Sequence, residues 1–253
     1  MKKINLFTLI LSFVAFVAFA LPLRADDGAI KVSSDPWEPW VLGTEGNVAS
    51  GGMAVEYINE IFNRIGVKSE TIIYPYERCL AQMKSGERDM ILMAKKTPER
   101  EQYMVYSDVA ATDPQLLYFS TEHMNDLEWN EWKDLKQYTI GGVQGFNYGD
   151  LENAVKEFGI KTEFTATDNQ NIKKLLSGRI DAVILSRSTA NYYMEQNPET
   201  KGKLKAAKRV IADAEYYFAL SKKGNAAKYV SQINEKIREM KNDGTADKIL
   251  GIN

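Results

Sequence analysis

One order of elements occurs twice along this chain, and that repetition limits its fold more than any other feature. Ser85-Gly86-Glu87-Arg88-Asp89 followed by Met-Ile-Leu-Met is matched further on by Ser177-Gly178-Arg179-Ile180-Asp181 followed by Ala-Val-Ile-Leu. In each copy glycine suits a left-handed cap that ends a helix, and aspartate opens an apolar strand. These residues punctuate the fold and are read as architectural. Around the first copy the pattern predicts a strand at 30–33 and a helix over 53–65, with Ala54, Tyr57, Ile58, Ile61, Phe62 and Ile65 on one face. A strand at 70–74, a helix at 76–85 and a strand at 89–93 follow. The second copy gives strand 138–143, helix 148–158, strand 161–165, helix 169–176 and strand 181–185. Strands alternating with helices imply parallel pairing, with helices covering the sheet.

Two such units predict an α/β chain of two open lobes with a cleft between them, because open parallel sheets bind ligands beyond the carboxyl ends of their strands. The strand-like segments Gln115–Ser120 and Tyr216–Ser221 would be the crossovers joining the lobes, and the place for a hinge. A helix over 225–241 and a last turn at 245–250 would return to the first lobe. The expected organisation is an export signal at 1–25, the first lobe at 26–117, the second at 118–215, and the return strand with its helices at 216–253.

The signal assignment rests on Lys2 and Lys3 preceding an uncharged apolar run from Asn5 to Ala20. Sixteen residues fall short of the ~20 that span a bilayer. Cleavage is expected after Ala25, with Ala20 as the alternative, and no cysteine stands there to carry a lipid anchor. Removing Lys2, Lys3 and Arg24 from the 32 basic residues leaves 29 against 34 acidic ones, a net of −5 that argues against nucleic acid as a partner. Cys79 is the only cysteine, so no internal disulfide forms; it is read as core, on an amphipathic helix. His123 is the only histidine and is read as a surface residue, so neither a multi-histidine metal site nor any cofactor is expected. The lysine-rich stretch 201–209 is read as a solvated edge of the second lobe.

Three further motifs carry a family resemblance. Lys96-Thr97-Pro98-Glu99-Arg100 precedes Tyr106-Ser107-Asp108, then comes Gly142-Val143-Gln144-Gly145, then Leu176-Ser177-Gly178-Arg179-Ile180-Asp181-Ala182. In order and spacing they resemble the periplasmic solute-binding proteins of ABC importers, in the polar amino-acid group known as family 3. The resemblance implies a two-lobed fold that closes on a small solute. It further implies a periplasmic monomer without enzymatic activity, whose partner is a membrane permease. Arg100 matches the arginine that clamps a ligand carboxylate in that family, a task suited to a planar guanidinium.

The sequence departs from the family pattern in three places. The interval from Asp89 to Arg100 is one residue short, and Ala94, Lys95 and Lys96 replace small hydroxyl residues. Where the family carries an ammonium-binding aspartate after the second-lobe strand, this chain has Ser186 and Arg187. After Gly145 the usual hydroxyl residue is Phe146, followed by Asn147. An unpaired ammonium in a closed cleft is costly, so Arg78, Lys95, Arg100 and Arg187 point to an anionic or multiply polar solute. Glu38, Glu77 and Asp113 are other carboxylates that could reach an amine. Trp37, Tyr76 and Phe146 follow strand ends and offer aromatic faces. Asn147 is expected to cap the helix starting near Tyr148. The ligand set is therefore Trp37, Tyr76, Arg78, Lys95, Arg100, Phe146, Asn147, Ser186 and Arg187, for an amino-acid-like solute or an organic acid. The alternatives are an exported dehydratase acting on a cyclic carboxylic acid, with Glu38 or Asp113 as the acid, and a soluble sensor.

Overall fold

A computed structural model describes residues 28–252, so the export segment and its cleavage sites lie outside the described residues. The chain runs β1 (Ile30–Ser34), α1 (Met53–Ile65), β2 (Ser69–Ile73), α2 (Tyr76–Ser85), β3 (Met90–Ala94), α3 (Pro98–Glu101), β4 (Met104–Tyr106) and β5 (Ala111–Ser120). It continues through β6 (Thr139–Val143), α4 (Leu151–Phe158), β7 (Lys161–Thr165), α5 (Asp168–Leu176), β8 (Ala182–Ser186), α6 (Arg187–Gln196) and β9 (Leu204–Ser221), closing with α7 (Val230–Asn242) and α8 (Thr245–Leu250).

The strand order is β2-β1-β3-β9-β5-β8-β6-β7, with β4 also on β9. β1 pairs in parallel with β2 and β3, and β6 with β7 and β8, so each half repeats one parallel triplet. The punctuation is repeated too. Asp89 Oδ2 accepts from the Lys31 amide at 2.8 Å, and Asp181 Oδ2 from the Thr139 amide at 2.7 Å. Each aspartate satisfies an amide at the start of the neighbouring strand. Gly86 and Gly178 take φ of 84° and 68°, the left-handed region that costs an L side chain 1–2 kcal/mol, roughly.

The apolar runs read as strands are buried on both faces. In β8, Ala182 and Ile184 join a core with Leu117, Phe119 and Leu151, while Val183 and Leu185 point to Ile172, Leu175 and Tyr193. In the first lobe α1 and α7 pack Tyr57, Ile58, Phe62, Ile233 and Ile237 on one face of the sheet, and α2 packs Cys79 and Met83 on the other. Burial pushes the Cys79 thiol pKa up, consistent with a core residue. His123 is exposed, its Nε2 2.9 Å from the Leu176 carbonyl.

β9 is longer than expected. The run 201–209 enters it at Leu204 and lies along a solvated edge of the second lobe, as read, where Lys203, Lys205 and Lys208 pair with Glu122, Asp126 and Glu128. Its first part pairs antiparallel with β5, from Leu204↔Ser120 to Tyr216↔Ala111, and its last residues pair with β3 and β4. β9 thus joins the two triplets, with Tyr216 and Tyr217 at the change of partner.

Candidate functional site

The loop leaving β1 is pinned by the helix that follows it. The Met53 amide donates to the Pro39 carbonyl at 3.1 Å and the Ala54 amide to the Trp40 carbonyl at 2.9 Å, so the loop satisfies two amides that α1 leaves free. Gly52 permits this approach: with φ at 109°, a Cβ there would stand 2.5 Å from the Trp40 oxygen. Asp35, Trp37 and Trp40 are thereby fixed at the carboxyl end of β1.

β3 supplies the opposite wall through an irregularity. Met90 and Leu92 face one core and Ile91 the other, as a strand requires, but Met93 joins Leu92 on the same side before Ala94 crosses back. Met93 has φ of 47°, and the pairing with β9 shifts register between Ile91 and Ala94. This bulge delivers Lys95 to the cleft. Thr97 then caps α3, accepting from the Arg100 amide at 3.3 Å, with Pro98 at the first helical position.

A narrow cavity of about 20 Å³ lies between the lobes, lined by Asp35, Trp37, Tyr76, Leu92, Met93, Lys95, Arg100, Gln115, Phe146, Asn147 and Tyr216. Arg100 is 6% exposed and lies over the Tyr76 ring at 5.4 Å. It donates to the Lys95 carbonyl at 3.0 Å and, across the cleft, to the Gly145 carbonyl at 2.8 Å; no carboxylate of the described residues pairs with it. Lys95 Nζ donates to Gln115 Oε1 at 2.6 Å and to the Asn147 carbonyl at 2.8 Å. Burial, then the Arg100 charge, push its ammonium pKa down to about 8. Asp35 is 3% exposed, and its only hydrogen-bond donor among the described residues is its own main-chain amide. Burial pushes its carboxyl up to about 7, opposed by that amide and reinforced by the Glu38 charge.

Aromatic rings close the sides. Trp37 stacks on Trp40 at 5.5 Å and meets Tyr216 at 5.2 Å and Phe146 edge-on at 5.8 Å, while Phe146 also meets Tyr76 at 4.9 Å. The same rings bridge the lobes. Trp37 Nε1 donates to Thr189 at 2.9 Å, Trp40 Nε1 to Ser188 at 2.9 Å, and the Tyr193 hydroxyl to Glu38 at 3.0 Å.

Of the nine residues expected at the site, Trp37, Tyr76, Lys95, Arg100, Phe146 and Asn147 line this cavity. The other three lie elsewhere. Arg78 is exposed, with its guanidinium 4.4 Å above the Tyr74 ring. Ser186 is the N-cap of α6, accepting from the Thr189 amide at 3.3 Å, because the segment after β8 is a helix and not a ligand loop. Arg187 opens that helix and is exposed, beside a hollow formed with Trp40, Met53 and Asp113. Asn147 does not cap α4, which starts at Leu151 after Asp150; its side chain accepts from the Gly149 amide at 3.2 Å. Asp113 accepts from the Ser188 hydroxyl, and burial raises its pKa.

Asp35, Leu92, Met93, Gln115 and Tyr216 were missed. A signal existed for Asp35, which stands immediately before Pro36-Trp37 in the same strand-end loop. Gln115 and Tyr216 begin the two segments read as crossings, but a strand buried on both faces has no polar alternation to show which side faces a cleft.

Residues 30–127 match the model of the bacterial extracellular solute-binding proteins, family 3. The chain is 24% identical over 262 aligned residues, 95% of each protein, to the arginine-binding extracellular protein ArtP of Bacillus subtilis (strain 168). The fold of this chain is shared with an ancestral arginine-binding protein bound to arginine, at a TM-score of 0.75 and 24% identity over 88% of this chain and 96% of that one. It is shared as well with the ancestral amino acid-binding protein AncCDT-1, a precursor of cyclohexadienyl dehydratase, at 0.72 and 21% over 88% and 93%. Among the described residues, no helix is long and apolar enough to cross a membrane.

Proposed function

We propose that this protein is a family-3 solute-binding protein that captures an amino-acid-like solute between its lobes and delivers it, outside the cytoplasm, to a membrane permease of an ABC importer. The observation that carries this reading is the pairing, in one cavity, of Arg100 and Lys95 with the buried Asp35. Two cations suit a carboxylate, and Arg100 presents a guanidinium that no protein carboxylate neutralises. Asp35 lacks an external donor, which a ligand ammonium or guanidinium would supply, and the rings around it favour a cation by their quadrupoles. With Arg78 and Arg187 outside the cavity, a purely anionic solute loses support. The relatives named for arginine and amino acids agree with a solute carrying both charges.

Calorimetric titration with L-arginine, agmatine and glutarate tests this. Binding of L-arginine well above agmatine, which lacks the carboxylate, and above glutarate, which lacks the amine, is the expected result. Binding of glutarate with no response to any amino acid would overturn it.

One observation favours a second reading. Asp35 holds a proton close to neutrality in a carboxylate-binding cavity, as a general acid of a dehydratase would. Formation of phenylpyruvate from prephenate would establish that activity, and an Asp35→Asn variant that abolished it would identify the acid.

A further inference from the structure

The cavity is smaller than any solute its lining residues are suited to hold. At about 20 Å³ it has room for roughly one water molecule, whereas pockets that enclose a small organic ligand run to about 300–1,000 Å³. Protein groups take up the difference. Phe146, half-buried, places its ring between the walls, edge-on to Tyr76 at 4.9 Å and to Trp37 at 5.8 Å, with Tyr148 behind it at 6.2 Å. Its two neighbours occupy the polar end. The Gly145 carbonyl accepts from Arg100 at 2.8 Å, and the Asn147 carbonyl accepts from the Lys95 ammonium at 2.8 Å. Two oxygens on the two cations, with a ring among the aromatic walls, match what a carboxylate-bearing solute would present to the first lobe. The turn that achieves this needs its glycine: Gly145 has φ of 81°, and a Cβ there would stand 3.0 Å from Glu77 Cγ.

The ring also has a place to go. On the far side of Phe146 lies a groove of about 750 Å³, which Arg100, Phe146 and Asn147 line together with Leu80, Tyr103 and Phe164. Phe164 is exposed, so a phenyl ring turned out of the cavity would find apolar surface to cover.

We infer that residues 145–147 are a plug standing in the solute's place, and that Phe146 thereby determines which solutes bind and how tightly. A solute enters when the ring moves to the groove and the solute's carboxylate replaces the two carbonyls on Arg100 and Lys95. The carboxylate and the choice of probe rest on the amino-acid reading above; the plug itself rests on the packing. Because the plugged arrangement cannot hold a solute, its stability lowers the affinity for every molecule that needs the space of the ring.

The test titrates L-arginine calorimetrically into wild type, Phe146→Leu and Phe146→Ala. Affinity should rise as the side chain shrinks, by tenfold or more for F146A, because the apparent dissociation constant is the intrinsic one divided by the fraction of molecules whose cavity is free. A ring that served as a wall of the site would give the opposite order, so weaker or unchanged binding by both variants overturns the plug. Solution scattering of the same proteins with no solute added gives a readout that does not depend on the probe. F146A should show the larger radius of gyration, since the contacts of the ring with Trp37 and Tyr76 hold the lobes together. If none of the three proteins binds L-arginine, the amino-acid reading fails and scattering decides the plug: expansion supports it and an unchanged radius overturns it. Should F146A not fold, F146L carries both measurements.

Discussion

Arg100 is oriented by two carbonyl oxygens before it meets a ligand, so its guanidinium keeps N–H groups to offer a carboxylate in a fixed geometry. A lysine at this position would keep the charge and lose the fork. Hydrogen bonds to charged groups contribute about 1.5–3 kcal/mol, so Arg100→Lys should weaken L-arginine binding by roughly 10- to 100-fold. Agmatine, with no carboxylate, should bind the variant and the wild type alike in calorimetry. Asp35 makes a different prediction, on stability. Its carboxyl has its ordinary value of 3.8 in the unfolded chain and about 7 in the fold, so between about pH 4 and pH 7 the folded state holds more protons. Stability must therefore fall as pH rises through that window. At about 1.4 kcal/mol per pKa unit, ionised Asp35 costs the ligand-free protein a few kcal/mol. Asp35→Asn should raise the melting temperature at pH 8 and change it little at pH 4. Superimposable melting profiles across that range would refute the burial argument.

At the level of elements, β3 carries a local irregularity that shapes the cavity wall. The strand reverses its alternation at Met93, which adopts a left-handed conformation. That conformation costs an L residue about 1–2 kcal/mol. In a regular strand alanine is more stable than glycine, whereas here the order should invert. Met93→Gly and Met93→Ala both lose the buried thioether, but only glycine relieves the backbone, so the glycine variant should be the more stable by about 1 kcal/mol in urea denaturation. Equal stability would mean that the bulge carries no strain. The site of the bulge was not legible in the sequence, because the choice among Leu92, Met93 and Ala94 depends on packing against β9. The repeated triplets were legible because Gly86, Asp89, Gly178 and Asp181 mark strand and helix ends by local backbone chemistry. α6 was missed because Arg-Ser-Thr-Ala-Asn-Tyr-Tyr-Met lacks an apolar period; it buries Thr189, Ala190 and Tyr193 through tertiary contacts. The cations of the site divided in the same way: Lys95 and Arg100 follow a motif, while Arg78 and Arg187 matched only by charge.

For the whole molecule the question is what stabilises closure. The lobes meet through Arg100 and Gly145, Lys95 and Asn147, Trp37 and Thr189, Trp40 and Ser188, and Tyr193 and Glu38. Three of these five contacts join α6 of the second lobe to the single loop after β1, beside the crossing strands β5 and β9. A small rotation about those strands would break all three together. The Tyr193 hydroxyl lies outside the cavity lining, so its bond to Glu38 reports on closure separately from ligand contact. Tyr193→Phe removes one hydrogen bond made only when the lobes meet, with a net contribution of about 0.5–1.5 kcal/mol. Because binding is coupled to closure, that loss should appear as a roughly 2- to 10-fold weaker affinity for every ligand, charged or neutral, while the ratio between ligands stays fixed. Solution scattering of the ligand-free variant should show a larger radius of gyration than wild type. An unchanged affinity would place the Tyr193 contact in the open form as well, and a changed ratio between arginine and citrulline would place Tyr193 in the ligand site.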